Sequence, residues 1–253
     1  MAAIAGRATF TVGSGQHDPN EPEEDGSGDR RGGLSVELRR LTRVDHERTE
    51  QLLDLPGCLS GPADLAALLH GWQRIWREIK QGCAGSRAVA GAKGWPGETA
   101  ALARLAEESL ARIAVDLAEL IQPADLDEPD ESDEPDEPGG PDGGPVDNVF
   151  VPMLADEPGV WGTAYVLRGS AMGGRVLAPL ITAQLDLAPG VATSYHAGAD
   201  DAGRSWVGFR HRLDSWGVAA GPEQRRVVVR RARSTFAAVG GRMARPQRPG
   251  AAT

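Results

Sequence analysis

Cysteine is scarce in this chain. Its 253 residues include only Cys58 and Cys83, which lie far apart and form no Cys-x-x-Cys pair. This spacing is not typical of a disulfide framework or a zinc site, so we expect a reducing compartment. The chain also lacks a basic start followed by an apolar core, and no stretch approaches the roughly 20 apolar residues of a membrane span. These absences favour a cytoplasmic protein.

Aromatic residues are few as well, at 5% of the chain, although leucine, alanine and valine suffice for a core. The net charge of -9 is unevenly spread. Residues 121–148 carry eleven acidic side chains and no lysine or arginine, whereas residues 221–253 carry eight arginines against one glutamate. The folded part between these stretches is close to neutral, and one short basic tail gives no support to nucleic-acid binding.

The composition divides the chain into segments of different character. Residues 1–33 are rich in glycine, proline and acidic residues with little to bury, which predicts a disordered leader. Residues 34–240 carry helical periodicity, interrupted by an acidic, proline-rich insert at 122–148 that cannot pack a core. Residues 241–253 are expected to form a basic flexible tail. We therefore predict one folded domain.

Apolar residues at helical spacing define the elements of that domain. No pair of strands with a turn signal occurs, so the fold class is all-α, with about six helices. A loop is expected at 82–97, and proline inside the fourth helix predicts a kink at Pro179. The predicted helices span 34–53, 64–80, 98–121, 160–185, 202–216 and 222–239.

The first helix carries an imidazole, His46, on its apolar stripe. Glu50 follows at i+4 and could orient the ring, as a carboxylate does for a histidine that binds haem iron. Arg43 lies one turn earlier and Arg39 two turns earlier, where they could neutralise haem propionates. Taken alone, the same residues also suit a half-buried histidine on a solvated, ion-paired helix face.

A glycine cluster at residues 169–174 supports the haem interpretation. Each glycine inside a helix costs about 0.5 to 1 kcal/mol relative to alanine, so three within six residues need a compensating reason. One reason is close packing of another helix, and the other is a flat ligand lying on the backbone. Gly169 and Gly173, at i and i+4, share a face. Together with His46 they favour a bound macrocycle.

These residues resemble the biliverdin-producing haem oxygenases, especially the bacterial, phytochrome-associated type. Residues 38–50, LRRLTRVDHERTE, are similar to the family's proximal pattern Leu-x-x-x-Thr-x-x-x-His-x-x-x-Glu. Residues 165–175, YVLRGSAMGGR, are similar to the bacterial distal pattern Tyr-Val-Leu-Glu-Gly-Ser-x-Leu-Gly-Gly. Residues 206–210 and 234–236 resemble its last two helices more weakly. The resemblance spans roughly 34–239 without the insert and implies the haem oxygenase fold.

By resemblance, His46 is the proximal ligand of haem iron and Glu50 is the partner that orients it. Gly169 and Gly173 would line the distal face, where their backbone steers oxygen toward a meso carbon of the ring. Arg39 matches the family's basic position for the propionates. The resemblance completes the catalytic set with Ser170 and the haem-binding set with Thr42, Arg43, Gly174 and Arg210.

The implied reaction is the oxidative opening of haem, which serves as both cofactor and substrate, to give biliverdin, iron and carbon monoxide. It consumes O2 and external electrons. Because the chain carries no flavin or nicotinamide fingerprint, the resemblance implies a separate ferredoxin or flavin reductase. A biliverdin acceptor such as a bacteriophytochrome is a further candidate partner.

Two positions depart from the family pattern. Arg168 replaces the distal glutamate, and Ala171 stands where a basic residue is common, whereas Ser170 agrees with the bacterial type. These departures leave open a haem carrier or sensor without turnover.

Two further alternatives concern the histidines and the insert. A di-iron oxygenase would need inward carboxylates with Glu-x-x-His spacing, and the remaining histidines sit apart from any such set: His17 in the leader, His196 in an apparent loop, and His70 and His211 as expected packing or surface residues. The acidic insert is expected to be a solvated loop. Its functional alternative is to mask the arginine-rich C-terminus or to influence docking of a redox partner.

Overall fold

Helices make up nearly all the regular structure in residues 32–90, 96–120, 148–198 and 202–243, which the computed structural model describes. No strand occurs in these ranges, so the all-α prediction is confirmed. All of them belong to one compact unit, Gly32–Thr253. The helices are α1 (Leu34–Leu41), α2 (Arg43–Leu53), α3 (Pro62–Ala90), α4 (Pro96–Leu120), α5 (Glu157–Gln184), α6 (Ser194–Ala197) and α7 (Ala202–Met243), with a 3-10 turn at Pro152–Leu154.

Most of the predicted leader, insert and tail falls outside the described residues. Of the leader, residues 32–33 are described, and of the insert, residue 148. Of the tail, residues 241–243 are described, and they form the end of α7. His17 also lies outside the described residues.

The predicted first helix is divided at Thr42, whose backbone (φ -104°, ψ 5°) leaves the helical region. The Thr42 hydroxyl donates to the carbonyl oxygen of Leu38 at 2.8 Å, a bond that bends helices. The halves differ in burial: α1 buries Leu34 and Leu38, whereas α2 buries no residue. The prediction of one continuous helix over 34–53 was therefore wrong, and α2 lies on the surface of α7.

The loop predicted at 82–97 was also wrong in its first half, because α3 continues to Ala90. Gly82 is not a helix break. A Cβ atom there would lie 2.7 Å from Cδ1 of Leu154, so glycine lets α3 approach the 3-10 turn. The Ser86 hydroxyl lies against the carbonyl oxygens of both Gly82 and Leu154. Close packing accounts for this glycine.

Helix α5 begins at a side-chain cap, in which Asp156 accepts a hydrogen bond from the backbone N–H of Gly159 at 2.7 Å. A Cβ at Gly162 would lie 2.7 Å from the carbonyl oxygen of Val228, so α5 crosses α7 with their backbones in close approach. The helix then runs uninterrupted through Pro179. This crossing fixes the following glycine segment beside the cavity described below.

Helix α7 joins the two predicted C-terminal helices end to end. Gly221 separates them with a left-handed φ of 75°, which glycine adopts without strain, and Pro222 starts the second half. Residues 227–229, three valines that would suit a strand, are helical as predicted. The main packing pairs are α3 with α4 and α5 with α7, and α6 packs against α5 and α4. None of the described helices is both long and apolar enough to cross a membrane.

Candidate functional site

A cavity of about 430 Å³ opens between the helix pairs. Residues of α2, α3, α4, α5, α6 and α7 line it, including the tryptophans Trp72, Trp76 and Trp206. Its volume falls within the range of about 300 to 1,000 Å³ found for small-molecule and cofactor sites. The cavity is therefore large enough to be a cofactor site.

His46 reaches this cavity from α2. Its Nδ1 lies 3.3 Å from a carboxylate oxygen of Glu50, which also lines the cavity, and the imidazole is 57% exposed. The ring of Phe236 on α7 meets the imidazole edge-on, with 5.7 Å between ring centroids. Because Glu50 engages Nδ1, Nε2 is the nitrogen left for a ligand.

Gly169 and Gly173 form a strip of bare backbone on the cavity wall of α5. A Cβ built on Gly173 would meet nothing within 4 Å, and one on Gly169 would meet only Trp206, at 3.9 Å. Packing against another helix therefore explains neither glycine. Both leave open space that a side chain would fill.

Gly174 and Ser170 line the same cavity but have additional local roles. A Cβ on Gly174 would lie 2.7 Å from the carbonyl oxygen of His196, so this glycine allows α6 to pack against α5. The Ser170 hydroxyl donates to the carbonyl oxygen of Val166, one turn earlier, at 3.0 Å. Its oxygen can still accept a hydrogen bond from the cavity side.

A solved structure of haem oxygenase from Leptospira interrogans is similar to this chain, with a TM-score of 0.57 and 15% sequence identity. The similarity covers 84% of this chain and 99% of that one. The chain has the haem oxygenase fold. No protein-family model and no curated protein sequence matches it. The assignment of the fold therefore depends on the structural similarity.

Four other predicted residues do not line the cavity of this haem oxygenase fold. Thr42 is buried at the junction of α1 and α2. Arg43 points to solvent and pairs with Glu47 at 2.8 Å. Arg39 and Arg210, from α1 and α7, both act on the phenol of Tyr165: burial raises its pKa, while these two arginines and Thr42 lower it.

Arg168, the departure from the family's distal glutamate, takes part in an ion cluster that the sequence did not predict. Its guanidinium lies 3.1 Å from one carboxylate oxygen of Glu98 on α4, and Arg212 on α7 lies 3.1 Å from the other. The Arg168 and Glu98 side chains are only 11% and 9% exposed. Glu98 thus neutralises the positive charge that Arg168 brings to α5. Because Glu98 lies 70 residues before Arg168, no local sequence pattern predicts this pair.

His196 is a second cavity residue that the sequence placed elsewhere. It lies on α6 rather than in a loop, and it is 3% exposed. Asp116 holds this short helix by accepting from the backbone N–H groups of Ser194 and Tyr195, each at 2.8 Å. Neither ring nitrogen of His196 has a hydrogen-bond partner among the described residues. Burial lowers the pKa of His196 to about 4.

The remaining described histidines, His70 and His211, are exposed, as expected for surface residues. Across the described ranges, no three His, Cys, Asp or Glu side chains cluster in a way that could hold a metal ion. That part of the chain therefore offers no ligand set for di-iron chemistry. The cavity presents two histidines, His46 and His196, of which His46 is the more exposed.

Proposed function

We propose that this protein is a haem oxygenase that binds haem in the cavity and opens it oxidatively to biliverdin, iron and carbon monoxide. The reaction would use O2 and electrons from a separate ferredoxin or flavin reductase. The observation that carries the proposal is that His46 and the bare strip at Gly169 and Gly173 line the same cavity. The sequence separates them by more than 120 residues.

The residues present suit haem iron. An imidazole that ligates iron through one nitrogen is oriented by a partner on the other, and Glu50 stands 3.3 Å from Nδ1. The ring of Phe236 also contacts the imidazole edge-on, with 5.7 Å between ring centroids. Both contacts limit rotation of the imidazole. His46 and its carboxylate partner Glu50 lie on the same helix, α2.

The cavity also suits the haem ring. Added Cβ atoms at Gly169 and Gly173 would project into open space, so the glycines leave a surface on which a planar group can lie close to the backbone. Trp72, Trp76 and Trp206 provide aromatic wall area. These features would suit an apolar, flat ligand whose iron His46 would hold.

Haem bound here would supply the iron that activates O2 and the ring that is oxidised. The chain's part would be to hold the ring over the bare strip of α5 and to exclude bulk water. Along the bare strip, backbone takes the place of side chains, and Ser170 places a hydroxyl oxygen beside it. Ser170 instead of an aspartate supports the bacterial type, for which a bacteriophytochrome is a candidate acceptor of biliverdin.

A haem carrier or sensor without turnover is the second candidate. Arg168 is committed to Glu98, Ala171 offers no polar group, and the Ser170 hydrogen is donated to Val166. The α5 wall therefore supplies no acidic side chain for proton delivery. This observation favours binding without cleavage and makes turnover the quantity to measure.

The test is a haemin titration followed by ascorbate in air, with the wild type, His46→Ala and the surface control His211→Ala. An oxygenase bleaches its Soret band while biliverdin absorbance and carbon monoxide appear. We expect this for the wild type and for His211→Ala, and not for His46→Ala. A stable His46-dependent Soret band without pigment would support the carrier. Absence of any Soret shift would refute both candidates.

A further inference from the structure

Helix α6 brings two neighbouring aromatic side chains with polar atoms, Tyr195 and His196, to the wall of the cavity. Their rings meet edge-on, with 5.1 Å between centroids. Asp116 of α4 accepts from the backbone N–H groups of Ser194 and Tyr195, so both side chains are attached to a backbone that is held in place. We call these two side chains the α6 pair. Neither has a role in the proposed ligation of iron by His46.

The imidazole of His196 carries hydrogen-bonding capacity that the protein does not use. The residue is 3% exposed, and neither ring nitrogen has a partner among the described residues. Burial lowers the pKa of His196 to about 4, so at pH 7 the ring is neutral, with one nitrogen as donor and the other as acceptor. Because buried polar groups are normally hydrogen-bonded, an occupant of the cavity is expected to supply the partners.

The phenol of Tyr195 adds a donor beside this imidazole. Its oxygen accepts from Nε1–H of Trp76 at 3.0 Å, which leaves the hydroxyl hydrogen to be donated. Burial raises the pKa of Tyr195, so the hydroxyl stays protonated at pH 7. The α6 pair therefore offers two donors and one acceptor and carries no charge. A neutral group with its own donor and acceptor matches this set better than a carboxylate, which has no hydrogen for the imidazole acceptor.

Haem and its ring-opened product differ in this kind of group. Apart from its propionates, haem has a periphery of methyl, vinyl and methine groups, and its nitrogens are bound to iron. Opening at a meso carbon and loss of iron leave a terminal lactam at each end of the chain of pyrroles, with a C=O beside an N–H. Haem therefore leaves the α6 pair without a matching group, whereas a linear tetrapyrrole supplies both an acceptor and a donor.

We propose that Tyr195 and His196 form an uncharged subsite that binds a terminal lactam of the linear tetrapyrrole, so that the cavity recognises the product as well as haem. The inference rests on the proposed function, because that reaction generates the lactam. The lactam C=O accepts from the Tyr195 hydroxyl or the imidazole N–H, and the lactam N–H donates to the other imidazole nitrogen. Once iron has left, α6 rather than His46 retains the product.

The experiment compares biliverdin with metal-free protoporphyrin IX. Both carry two propionates and no iron, and only biliverdin has lactams. Quenching of tryptophan fluorescence, to which Trp72, Trp76 and Trp206 of the cavity wall contribute, measures Kd for each compound.

The main variant is His196→Phe, which keeps a ring of similar size and leaves no described residue without a hydrogen-bond partner. His196→Asn restores one donor and one acceptor on a neutral side chain. Tyr195→Phe removes only the hydroxyl of the other member of the pair. His211→Phe, at an exposed position of α7, is the matched control.

We expect His196→Phe to weaken biliverdin binding by about tenfold and to leave the Kd of protoporphyrin IX unchanged, as for a site that loses hydrogen bonds to one ligand only. Tyr195→Phe should also weaken the binding of biliverdin alone. His196→Asn should recover part of the affinity for biliverdin, and His211→Phe should match the wild type with both compounds.

Two results would overturn the inference. An unchanged Kd for biliverdin in His196→Phe and Tyr195→Phe would show that the α6 pair holds an ordered water only, and a parallel loss of affinity for both compounds would show that the pair is structural. Either result leaves the proposed function intact if haemin still binds through His46 and is converted to pigment. A wild type that binds neither haemin nor biliverdin would overturn the function and the subsite together.

Discussion

Neighbouring glycines of α5 have different physical reasons to be glycine. Gly173 faces the cavity, where an added Cβ meets nothing within 4 Å. Gly174 faces α6, where the same atom would lie 2.7 Å from the carbonyl oxygen of His196. The first position is available to a ligand and the second is already filled by backbone. Substitution should separate these two roles.

Gly173→Ala should stabilise the protein by about 0.5 to 1 kcal/mol, because alanine favours the helix and its methyl group meets open space. It should also weaken haemin binding, since that methyl group enters the cavity. Gly174→Ala should instead destabilise by about 1 to 3 kcal/mol through overpacking against backbone. Urea unfolding at pH 7 measures the free energy of unfolding of both variants, and Soret titration measures their affinity for haemin. Equal destabilisation by both variants would contradict this assignment.

His196 should make stability depend on pH. Its pKa is about 4 in the folded protein, with burial as the cause, and about 6.5 in the unfolded chain. Between these values the unfolded state binds more protons, so the free energy of unfolding falls as pH decreases from 6.5 to 4. Above pH 6.5 this contribution is fully present. From pH 7 to 4.5 the loss due to His196 should be about 2 to 3 kcal/mol.

His196→Phe removes the titrating group and keeps a ring of similar size. Its free energy of unfolding should therefore decline less steeply than that of the wild type over the same pH range, as measured by urea unfolding at pH 7 and pH 4.5. His211→Phe, at an exposed position, is the control and should follow the wild type. Parallel curves for His196→Phe and the wild type would show that the imidazole is not buried as the structure has it.

At the scale of the elements, α2 differs from the helices around it. It supplies His46 and Glu50, yet none of its residues is buried, and Val44 and Leu52 are exposed. The core is formed instead by α1, α3, α4, α5 and the buried side of α7. The helix that carries the proposed iron ligand is thus held mainly by its contact with α7, where Phe236 meets His46, so its local stability should be low.

Hydrogen exchange should show this difference and its change on ligand binding. Without haemin, the amides of α2 should exchange faster than those of the buried part of α3. Saturating haemin should slow exchange in α2, because iron ligation by His46 ties this helix to the cavity. His46→Ala should abolish the slowing in α2. Protection that appears in other helices and leaves α2 unchanged would contradict the placement of the ligand.

The elements also show which parts of the fold could be predicted from sequence. Apolar residues at helical spacing sufficed to predict the long helices of the described chain, because this spacing reflects burial of one helix face. The points at which helices end or continue were harder to predict. The break at Thr42 depends on one backbone conformation, and α3 passes through Gly82 because Leu154, distant in sequence, requires close approach there. Glycine and threonine have several uses, and the contacting residue decides among them.

At the scale of the whole molecule, the cavity brings together residues from both ends of the described chain. The position of His46, Gly169 and Gly173 at one cavity was predictable, because each has a local pattern with a chemical reason, and their role toward haem stays a prediction. The Glu98 cluster and His196 were not, since the partner of Arg168 lies 70 residues away and α6 is positioned by Asp116. Charge placement on the wall is a property of the assembled helices.

The most direct test of the account is whether His46 ligates haem iron. After the bound haemin is reduced with dithionite, resonance Raman spectra of the ferrous haem complex would be compared for the wild type, His46→Ala and His46→Ala with added imidazole. We predict an iron–histidine stretching band that disappears in the variant and returns as an iron–imidazole band when imidazole is supplied. An unchanged iron–histidine band in His46→Ala would assign the ligand to another histidine and contradict the central claim.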